Sequence, residues 1–365
     1  MKIVLSANTS WYLFNFRAGL IERLIKQNHQ VVVIAPNEDY RNKLEQLGCF
    51  FERVDLETRG MNLAKEMLVI RRYRMLFKRI KPDVVLNFTV KPVIYGSLAA
   101  RSLNLTHINT ITGLGSSFIY GGMMKWLVMF LYKISLSKSK VVFFQNNDDL
   151  NVFKRYKLVR ELKVSLVPGS GVNLTKFKYQ PPPRNEQFEF LLIARLLYDK
   201  GIQEYVDAAR IVLKHRPGVM FNLLGPIEEC HHSSAISYPI LEKWIDEGVI
   251  KYLGEVEDVR PYLVATDCLV LPSYREGLSR TLLEAGATGR PVIASDVPGC
   301  KSLITDGDNG YLCLSRNARQ LADVMLKLMS LDIGARTQMG LKNRMIVEKG
   351  YGEDIVVDHY LDALT

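Results

Sequence analysis

The stretch CLVLPSYREGLSRTLLEAGATGRPVIAS, residues 268–295, has the pattern of a strand, a loop, a helix and a second strand. CLVL and PVIAS are short apolar runs typical of buried parallel strands, and Ser279 is a suitable N-cap for the helix between them. Parallel strands need a crossover connection, usually a helix, so this stretch predicts a βαβ unit. Glu276 and Gly277 then lie in the loop after the first strand, where open parallel sheets bind their ligands.

The rest of the chain repeats this pattern on both sides of a stretch rich in Gly and Pro, LVPGSGVNLTKFKYQPPPRNEQ. The apolar runs are KIVLS, VVVIA, DVVLNF and VVFFQ in the first half and FEFLLIA, VMFNLLG and IKYLG in the second. The sequence therefore predicts two doubly wound, Rossmann-like α/β domains, residues 1–170 and 187–345, with a deep cleft between them. Residues 171–186 are the predicted linker, and residues 346–365 a C-terminal helix that can cross back to the first domain.

The composition is that of a globular protein, with 48% hydrophobic and 24% charged residues among 365. Five scattered cysteines without a CxxC pair argue against disulfides and zinc and favour a cytoplasmic setting. No signal-peptide pattern opens the chain, and Lys125 and Lys133 interrupt the apolar segment MMKWLVMFLYKISL, whereas a membrane span needs about 20 apolar residues. The net charge of +10 comes without a nucleic-acid-binding motif, so phosphate ligands and anionic lipid are the expected partners.

Two cations, Arg195 and Lys200, follow the FEFLLIA strand within six residues. Arginine presents a planar fork of donors and lysine a compact charge, and together they suit the diphosphate of a departing nucleotide. A solvated turn with a surface Asp199–Lys200 pair explains the same residues. These residues by themselves leave both interpretations open.

Two carboxylates, Glu276 and Glu284, are eight positions apart. If both were helical, they would lie about 80° apart around the axis and ~12 Å apart along it. A glycoside hydrolase needs its two carboxyl groups about 5–9.5 Å apart, so this spacing better suits the hexose and the ribose of one extended ligand. The alternative is that Glu276 caps the helix and Glu284 faces solvent.

The motifs IARLLYDKG, LPSYREGLSRTLLEA and GRPVIASDVPGC resemble the donor-binding half of the family-4 retaining glycosyltransferases, which have the GT-B fold. NFTVKPVIYGSLAAR and INTITGLGSSFI are similar to bacterial N-acetylgalactosaminyltransferases that extend undecaprenyl diphosphate-linked sugars. The resemblance implies an α/β GT-B fold and transfer of a hexose, best N-acetylgalactosamine, from a UDP-sugar to a polyprenyl diphosphate-linked glycan in polysaccharide or glycoprotein assembly. It implies no cofactor and no metal.

The resemblance also implies roles for individual residues. Glu276 would contact the donor hexose, while Arg195 and Lys200 would carry the leaving diphosphate. Glu284 would hold the ribose, and Val256 would lie in the uracil pocket. The donor-binding group is Gly277, Leu278, Ser279, Glu284 and Val256.

Two loops and one lysine of the first domain are expected to bind the acceptor. The loops are SANTSWYLFNFR and TGLGSS, which follow predicted strands, and the lysine would bind the acceptor diphosphate. Neither loop has the GxGxxG spacing of a dinucleotide site. The aromatic residues of the first loop, such as Phe14, can instead belong to the core. The acceptor-binding candidates are Asn8, Thr9, Ser10, Lys91, Gly113 and Gly115.

Two alternative functions remain open at the level of sequence. A UDP-sugar 2-epimerase and a non-catalytic nucleotide-sugar-binding protein would both share the fold and the nucleotide site. DGDNG, residues 306–310, contains an Asp-x-Asp pair, but its glycines and asparagine predict a turn, and the adjacent His231 and His232 predict a solvated loop. No metal site is therefore expected.

RRYRMLFKRIK, residues 71–81, predicts a basic amphipathic helix with Tyr73, Leu76, Phe77 and Ile80 on one face. This apolar stripe can pack on the first sheet, with the cations facing water. Alternatively, the helix lies on anionic lipid, with Trp126 and Phe130 beside it. The second interpretation predicts a protein peripherally associated with the inner face of the cytoplasmic membrane.

Overall fold

The computed structural model describes residues 1–56, 63–114, 123–184, 186–227 and 234–365. The chain divides into two compact units. Unit 1 comprises Met1–Gly171 and Glu353–Thr365, and unit 2 comprises Val172–Gly352. The boundary placed at residue 346 from sequence falls inside a helix, Ile333–Gly350, and the last helix of the chain begins at Glu353.

Unit 1 is built on a parallel sheet. In its described residues the seven strands are β1 (Lys2–Ser6), β2 (Gln30–Ala35), β3 (Phe50–Arg53), β4 (Val84–Phe88), β5 (Thr106–Ile111), β6 (Val142–Phe144) and β7 (Val164–Leu166). Their order is β3-β2-β1-β4-β5-β6-β7. The chain therefore winds outward in both directions from β1 and β4, which makes their carboxyl ends the topological switch point of this sheet.

Helices cover both faces of this sheet, as a parallel sheet requires. They are α1 (Ser10–Lys26), α2 (Arg41–Gln46), α3 (Leu63–Ile80), α4 (Ser97–Ser102), α5 (Met123–Leu136), α6 (Asn147–Arg155) and the last helix of the chain, α13 (Glu353–Leu364). Val4 and Val85 share one core with α3 and α5, and Ile3 and Leu86 share the other with α1 and α13. A π-helical turn, Pro92–Gly96, connects β4 to α4.

Unit 2 repeats the architecture. The six strands of its described part are β8 (Glu189–Ile193), β9 (Met220–Leu224), β10 (Lys251–Tyr252), β11 (Cys268–Leu271), β12 (Val292–Ser295) and β13 (Gly310–Cys313), in the order β10-β9-β8-β11-β12-β13. Its helices are α7 (Ile202–His215), α8 (Tyr238–Asp246), α9 (Arg260–Ala265), α10 (Arg280–Ala287), α11 (Ala318–Ser330) and α12 (Ile333–Gly350). All strand pairs are parallel, and β8 and β11 form the switch point.

The apolar stripe of α3 packs inside unit 1. Tyr73, Phe77 and Ile80 are buried, and the Tyr73 hydroxyl bonds Ser6 Oγ of β1 at 2.8 Å. The stripe is therefore core, and the structure corrects the alternative in which it lies against lipid. Trp126 and Phe130 of α5, in contrast, are 63% and 59% exposed. In the part of the chain described, no helix combines the length and apolarity that crossing a bilayer requires.

Candidate active site

The switch point of unit 2 brings two loops together. The first loop follows β8 and contains the short 3₁₀ turn Tyr198–Lys200; the second follows β11 and leads to α10. The backbone N–H of Tyr274 in the second loop donates to the carbonyl of Asp199 in the first, at 2.8 Å. The Tyr274 hydroxyl also donates to Glu204 Oε1 of α7 at 2.7 Å. These bonds fix the position of one loop relative to the other.

Gly201 permits the close approach of the two loops. Its φ is +72°, and a Cβ at this position would lie 2.1 Å from the carbonyl oxygen of Pro272. Only glycine has both the conformation and the space at this point. Gly299 plays the same role on the other side of the second loop, because its Cβ would lie 2.4 Å from the Gly277 oxygen.

Lys200 and Glu276 meet where these loops meet. Lys200 Nζ donates to Glu276 Oε1 at 2.6 Å, although the two residues are 76 positions apart. Their side chains are only 22% and 15% exposed, so water screens the pair weakly. The surface pair of Lys200 with Asp199, which the sequence left open, is not the arrangement found. Arg195 is the second residue after β8 and is exposed.

The helix after the second loop begins as the sequence predicts. Ser279 caps α10, and its Oγ accepts a hydrogen bond from Leu282 N at 3.3 Å. Glu276, Gly277 and Leu278 are half-buried in the loop before it. Because Glu276 is not helical, the ~80° and ~12 Å estimate for its separation from Glu284 does not apply.

The Glu284 side chain pairs with an arginine one turn earlier on α10. Arg280 Nε donates to Glu284 Oε1 at 2.8 Å, and the two side chains are 17% and 13% exposed. Burial raises the pKa of Glu284, the Arg280 charge opposes that rise, and Asp258 adds to it. The alternative of a solvated surface glutamate is therefore wrong. Val256, in the loop that contains Asp258, is half-buried against a buried apolar cluster of unit 2 that includes Leu271 of β11.

The switch point of unit 1 carries part of the predicted acceptor group. Asn8 N, after β1, donates to Thr89 Oγ1, after β4, at 3.1 Å. Thr89 has φ +66°, which is rare for a β-branched residue and strains the backbone. Strain of this kind clusters at functional sites.

Thr9 and Ser10 have structural partners. Thr9 Oγ1 caps α1 by accepting from Tyr12 N at 3.1 Å. Ser10 is fully buried, and its N and Oγ both donate to Asn37 Oδ1, at 2.8 and 3.1 Å. Ser10 is therefore not available at the surface, and we remove it from the acceptor candidates.

Lys91 lies in an ion pair that the sequence did not reveal. Its Nζ is 2.6 Å from Glu66 Oε1 of α3, and the side chains are 14% and 10% exposed. Burial is the main cause of the raised pKa of Tyr95, and the nearby Glu66 raises that pKa further. Gly113 has φ +141°, and a Cβ there would meet nothing within 4 Å. Gly115 lies outside the described residues.

The described residues include no group of three or more His, Cys, Asp or Glu side chains arranged to hold a metal ion. In the DGDNG segment, Asp306 Oδ1 accepts from Leu312 N and Asn309 Oδ1 accepts from Thr305 N, so these side chains stabilise a turn. His231 and His232 lie outside the described residues.

The two units match two family models. Residues 187–331 match glycosyl transferases group 1, and residues 2–146 match the glycosyl transferase 4-like family. The chain is a glycosyltransferase of these families. Both matches lie on the sheets described above, and the group 1 match includes Lys200, Glu276 and Glu284.

This glycosyltransferase is similar to bacterial enzymes that act on undecaprenol-linked sugars by name. It is 28% identical, over 99% of its own length and 97% of the relative, to N,N'-diacetylbacillosaminyl-diphospho-undecaprenol alpha-1,3-N-acetylgalactosaminyltransferase of Campylobacter jejuni. It is 26% identical to UDP-Gal:alpha-D-GlcNAc-diphosphoundecaprenol alpha-1,3-galactosyltransferase of Escherichia coli, over 76% and 73% of the two chains.

Solved structures show the same fold. HepE of Anabaena, in complex with UDP and glucose, superposes on the glycosyltransferase with a TM-score of 0.81 at 16% identity, covering 100% of this chain and 99% of the other. Sucrose-phosphate synthase of Thermosynechococcus elongatus gives a TM-score of 0.81, covering 100% and 98%. The predicted α/β class with two Rossmann-like, GT-B-type domains is thereby confirmed.

Proposed function

We propose that this glycosyltransferase moves a hexose from a UDP-sugar to an undecaprenyl diphosphate-linked sugar, with retention of anomeric configuration. N-acetylgalactosamine is the first choice of hexose, and a surface polysaccharide or glycoprotein glycan is the product. The observation that carries the proposal is the shielded Lys200–Glu276 pair at the switch point of unit 2. The names of the Campylobacter and Escherichia relatives and the UDP bound to HepE support this choice of acceptor and donor.

The ion pair suggests how the donor binds. The Lys200 ammonium is balanced by the Glu276 carboxylate at 2.6 Å. An incoming nucleoside diphosphate brings negative charge that competes for Lys200, and the released Glu276 can accept hydrogen bonds from hexose hydroxyls. The exposed guanidinium of Arg195 supplies a second, planar donor to the diphosphate.

The remaining donor residues extend from this point along α10. The N–H groups in the first turn of α10, and those of Gly277 and Leu278 before it, suit a phosphate or hydroxyl oxygen. Glu284 would accept from the ribose hydroxyls, with Arg280 keeping its carboxylate charged and oriented. Val256 would contact the uracil from the neighbouring loop.

Retention needs no nucleophile from the protein in this scheme. The bond between the sugar C1 and the diphosphate oxygen breaks, and the acceptor hydroxyl forms its bond to C1 from the same face. Its proton passes to the departing diphosphate oxygen. Lys200 and Arg195 stabilise the charge that develops on that oxygen, which is the step where fixed charges contribute most.

The acceptor would bind at the carboxyl edge of unit 1. Lys91 would contact its diphosphate, and Glu66 would compete with that diphosphate for the lysine because the two now pair at 2.6 Å. The Asn8 and Gly113 loops follow β1 and β5, so they lie on the same edge.

A membrane surface is the expected location of such an acceptor. On α3, Met67 and Met75 are 63% and 61% exposed, beside Arg71, Arg74 and Lys78. Exposed apolar side chains interleaved with cations suit the interface of an anionic bilayer. We therefore propose that this exposed face, with Trp126 and Phe130 of α5, associates peripherally with the inner face of the cytoplasmic membrane.

A panel of radiolabelled UDP-sugars tested against polyprenyl diphosphate-linked amino sugars examines the whole proposal. We expect one donor to give a lengthened lipid-linked product, UDP release and an α-linkage from an α-linked donor. An epimerised donor without acceptor would indicate a 2-epimerase. UDP-sugar binding without UDP release under any acceptor would indicate a non-catalytic binding protein.

A further inference from the structure

Trp11 is a large aromatic side chain exposed at the carboxyl edge of the unit 1 sheet. It is 44% exposed and lies in the first turn of α1, directly after the loop that leaves β1. Tryptophan is mostly buried in proteins, and an exposed one is a frequent anchor for ligands. The sequence left open whether the aromatic side chains of this loop join the core. The Trp11 side chain is only partly buried.

The indole is supported from behind. The Phe16 ring packs edge-on against it, with centroids 5.1 Å apart and planes at 87°. Tyr12 packs against Phe16 in turn, at 5.0 Å. Asn15 Nδ2 donates to the Trp11 carbonyl at 3.0 Å, which ties down the first turn of the helix. A ring held in this way loses little conformational freedom when a ligand covers its open area.

The position of Trp11 in the fold points to a ligand. Asn8 lies three residues before Trp11. Its backbone N–H donates to Thr89 Oγ1 at 3.1 Å across the switch point between β1 and β4. Thr89 is held at φ +66° there, a strained conformation for a β-branched residue. Ligands of doubly wound sheets bind at this place, outside the carboxyl ends of the strands.

We propose that Trp11 is the platform on which the sugar ring of the acceptor stacks. A pyranose has a face of C–H groups and a rim of hydroxyls. The indole would cover the C–H face, and Asn8, which is half-buried three residues earlier in the chain, would offer its side-chain amide to the hydroxyl rim. The inference rests on the proposed function and extends it, because it names the group that recognises the acceptor sugar.

Kinetics on three variants tests this platform. With farnesyl diphosphate-linked N-acetylglucosamine as acceptor, Trp11→Ala should raise the acceptor KM about tenfold and leave kcat within about twofold. Trp11→Tyr should keep most of the affinity because it keeps an aromatic face, whereas Trp11→Leu should resemble alanine. Tyr238→Ala, which removes an aromatic side chain of α8 that is 58% exposed, is the matched control and should leave this KM unchanged. Resistance of residues 1–171 to limited proteolysis should be the same in all four, which shows that unit 1 of each variant is folded.

Fluorescence tests the contact without turnover. The chain has three tryptophans, and Trp244 is only 3% exposed, so Trp126→Phe leaves Trp11 as the one exposed fluorophore. The lipid-linked sugar should change the emission of this variant, and farnesyl diphosphate without sugar should change it far less.

Equal changes with both ligands would mean that the lipid chain covers Trp11, and no change would mean that nothing does. Either result overturns the platform, as does an active Trp11→Ala variant with the wild-type KM. Failure of the proposed function looks different, because the wild type would then transfer sugar to no acceptor of the panel while the emission change could still occur.

Discussion

Lys200 and Glu276 illustrate what a shielded ion pair does at a site. The contact of 2.6 Å satisfies both charges. Removal of one partner leaves the other charge without compensation in a poorly solvated place, which is costly. A ligand that carries negative charge at one end and hydroxyls at the other can replace both halves of the contact at once.

Replacement of Glu276 by glutamine should separate sugar chemistry from nucleotide binding. We expect turnover to fall about 100-fold or more, because the carboxylate acts on the reacting hexose. UDP affinity should be kept or increased, since Lys200 loses its competing partner. Rates and calorimetric UDP binding measure the two effects, with the exposed Glu242→Gln as control. A normal rate in Glu276→Gln would remove this residue from the reaction.

Removal of either diphosphate cation should lower both UDP affinity and rate. For Lys200→Ala and Arg195→Ala we expect losses of about 2–4 kcal/mol in transition-state stabilisation, because each charge faces the leaving group. The control is Arg210→Ala. The Arg210 guanidinium, on α7, pairs with Glu247, the residue after α8, at 2.6 Å. If the two site variants behaved like Arg210→Ala, the diphosphate role would be wrong.

Arg280 should set the pH range in which the donor binds. Burial raises the pKa of Glu284 and Arg280 opposes that rise. Arg280→Gln therefore raises this pKa further, and Glu284 becomes protonated, and a poorer acceptor for ribose hydroxyls, at higher pH than in the wild type. We expect the acid-side fall in kcat/KM for the donor to move to higher pH, with the effect mostly in KM. An unchanged profile would show that Glu284 does not contact the donor.

At the scale of the element, α3 buries its apolar face in unit 1 and carries cations on its other side. Arg72 pairs with Asp55 at 3.3 Å and Arg79 with Glu52 at 2.5 Å, so acids from β3 and the residues after it compensate these two cations. Within the described part of the chain, no ion pair involves Arg71, Arg74 or Lys78. The helix therefore has two groups of cations with different freedom to meet an anionic surface.

The unpaired cations of α3 should carry the membrane binding. Arg71, Arg74 and Lys78 changed together to glutamine should strongly reduce flotation with phosphatidylglycerol vesicles in low salt, since each cation contributes about 1 kcal/mol near such a surface. Arg72→Gln with Arg79→Gln should reduce it less. Equal flotation of the triple variant and the wild type would exclude this face of α3, and no flotation of the wild type in low salt would exclude the membrane proposal.

At the scale of the molecule, the chain leaves unit 1 near Gly171 and returns to it at Glu353. The returning helix α13 belongs to the core of unit 1. Tyr360 is fully buried, bonds Thr110 at 2.8 Å and packs on Phe143 with centroids 4.9 Å apart. The buried Arg17 guanidinium lies 5.3 Å from the centre of the Tyr360 ring.

A chain that ends at Gly352 should therefore lose the integrity of unit 1 and keep that of unit 2. Loss of a single buried aromatic ring costs about 3–5 kcal/mol, and the truncation removes more than one buried side chain of this core. We expect limited proteolysis to cut within residues 1–171 while UDP affinity stays near that of the full chain. Tyr360→Phe, which keeps the ring, should cost only about 1 kcal/mol. Wild-type protease resistance of the truncated chain would contradict the prediction.

The sequence by itself determined the features that depend on neighbouring residues. The βαβ unit at 268–295, the Ser279 cap and the placement of Arg195, Lys200 and Glu276 in loops after strands all follow from periodicity and local hydrogen bonding. The family resemblance followed from the same local motifs.

Only the tertiary structure decided which distant groups meet. In β5, THINTI, the polar Asn109 is fully buried, and Asn87 of β4 and Ser139, which lie far away in sequence, satisfy its amide group. The Lys200–Glu276 and Lys91–Glu66 pairs join residues 76 and 25 positions apart. No periodicity records such pairings, because they depend on which strands become neighbours and on how little water reaches the charges between them.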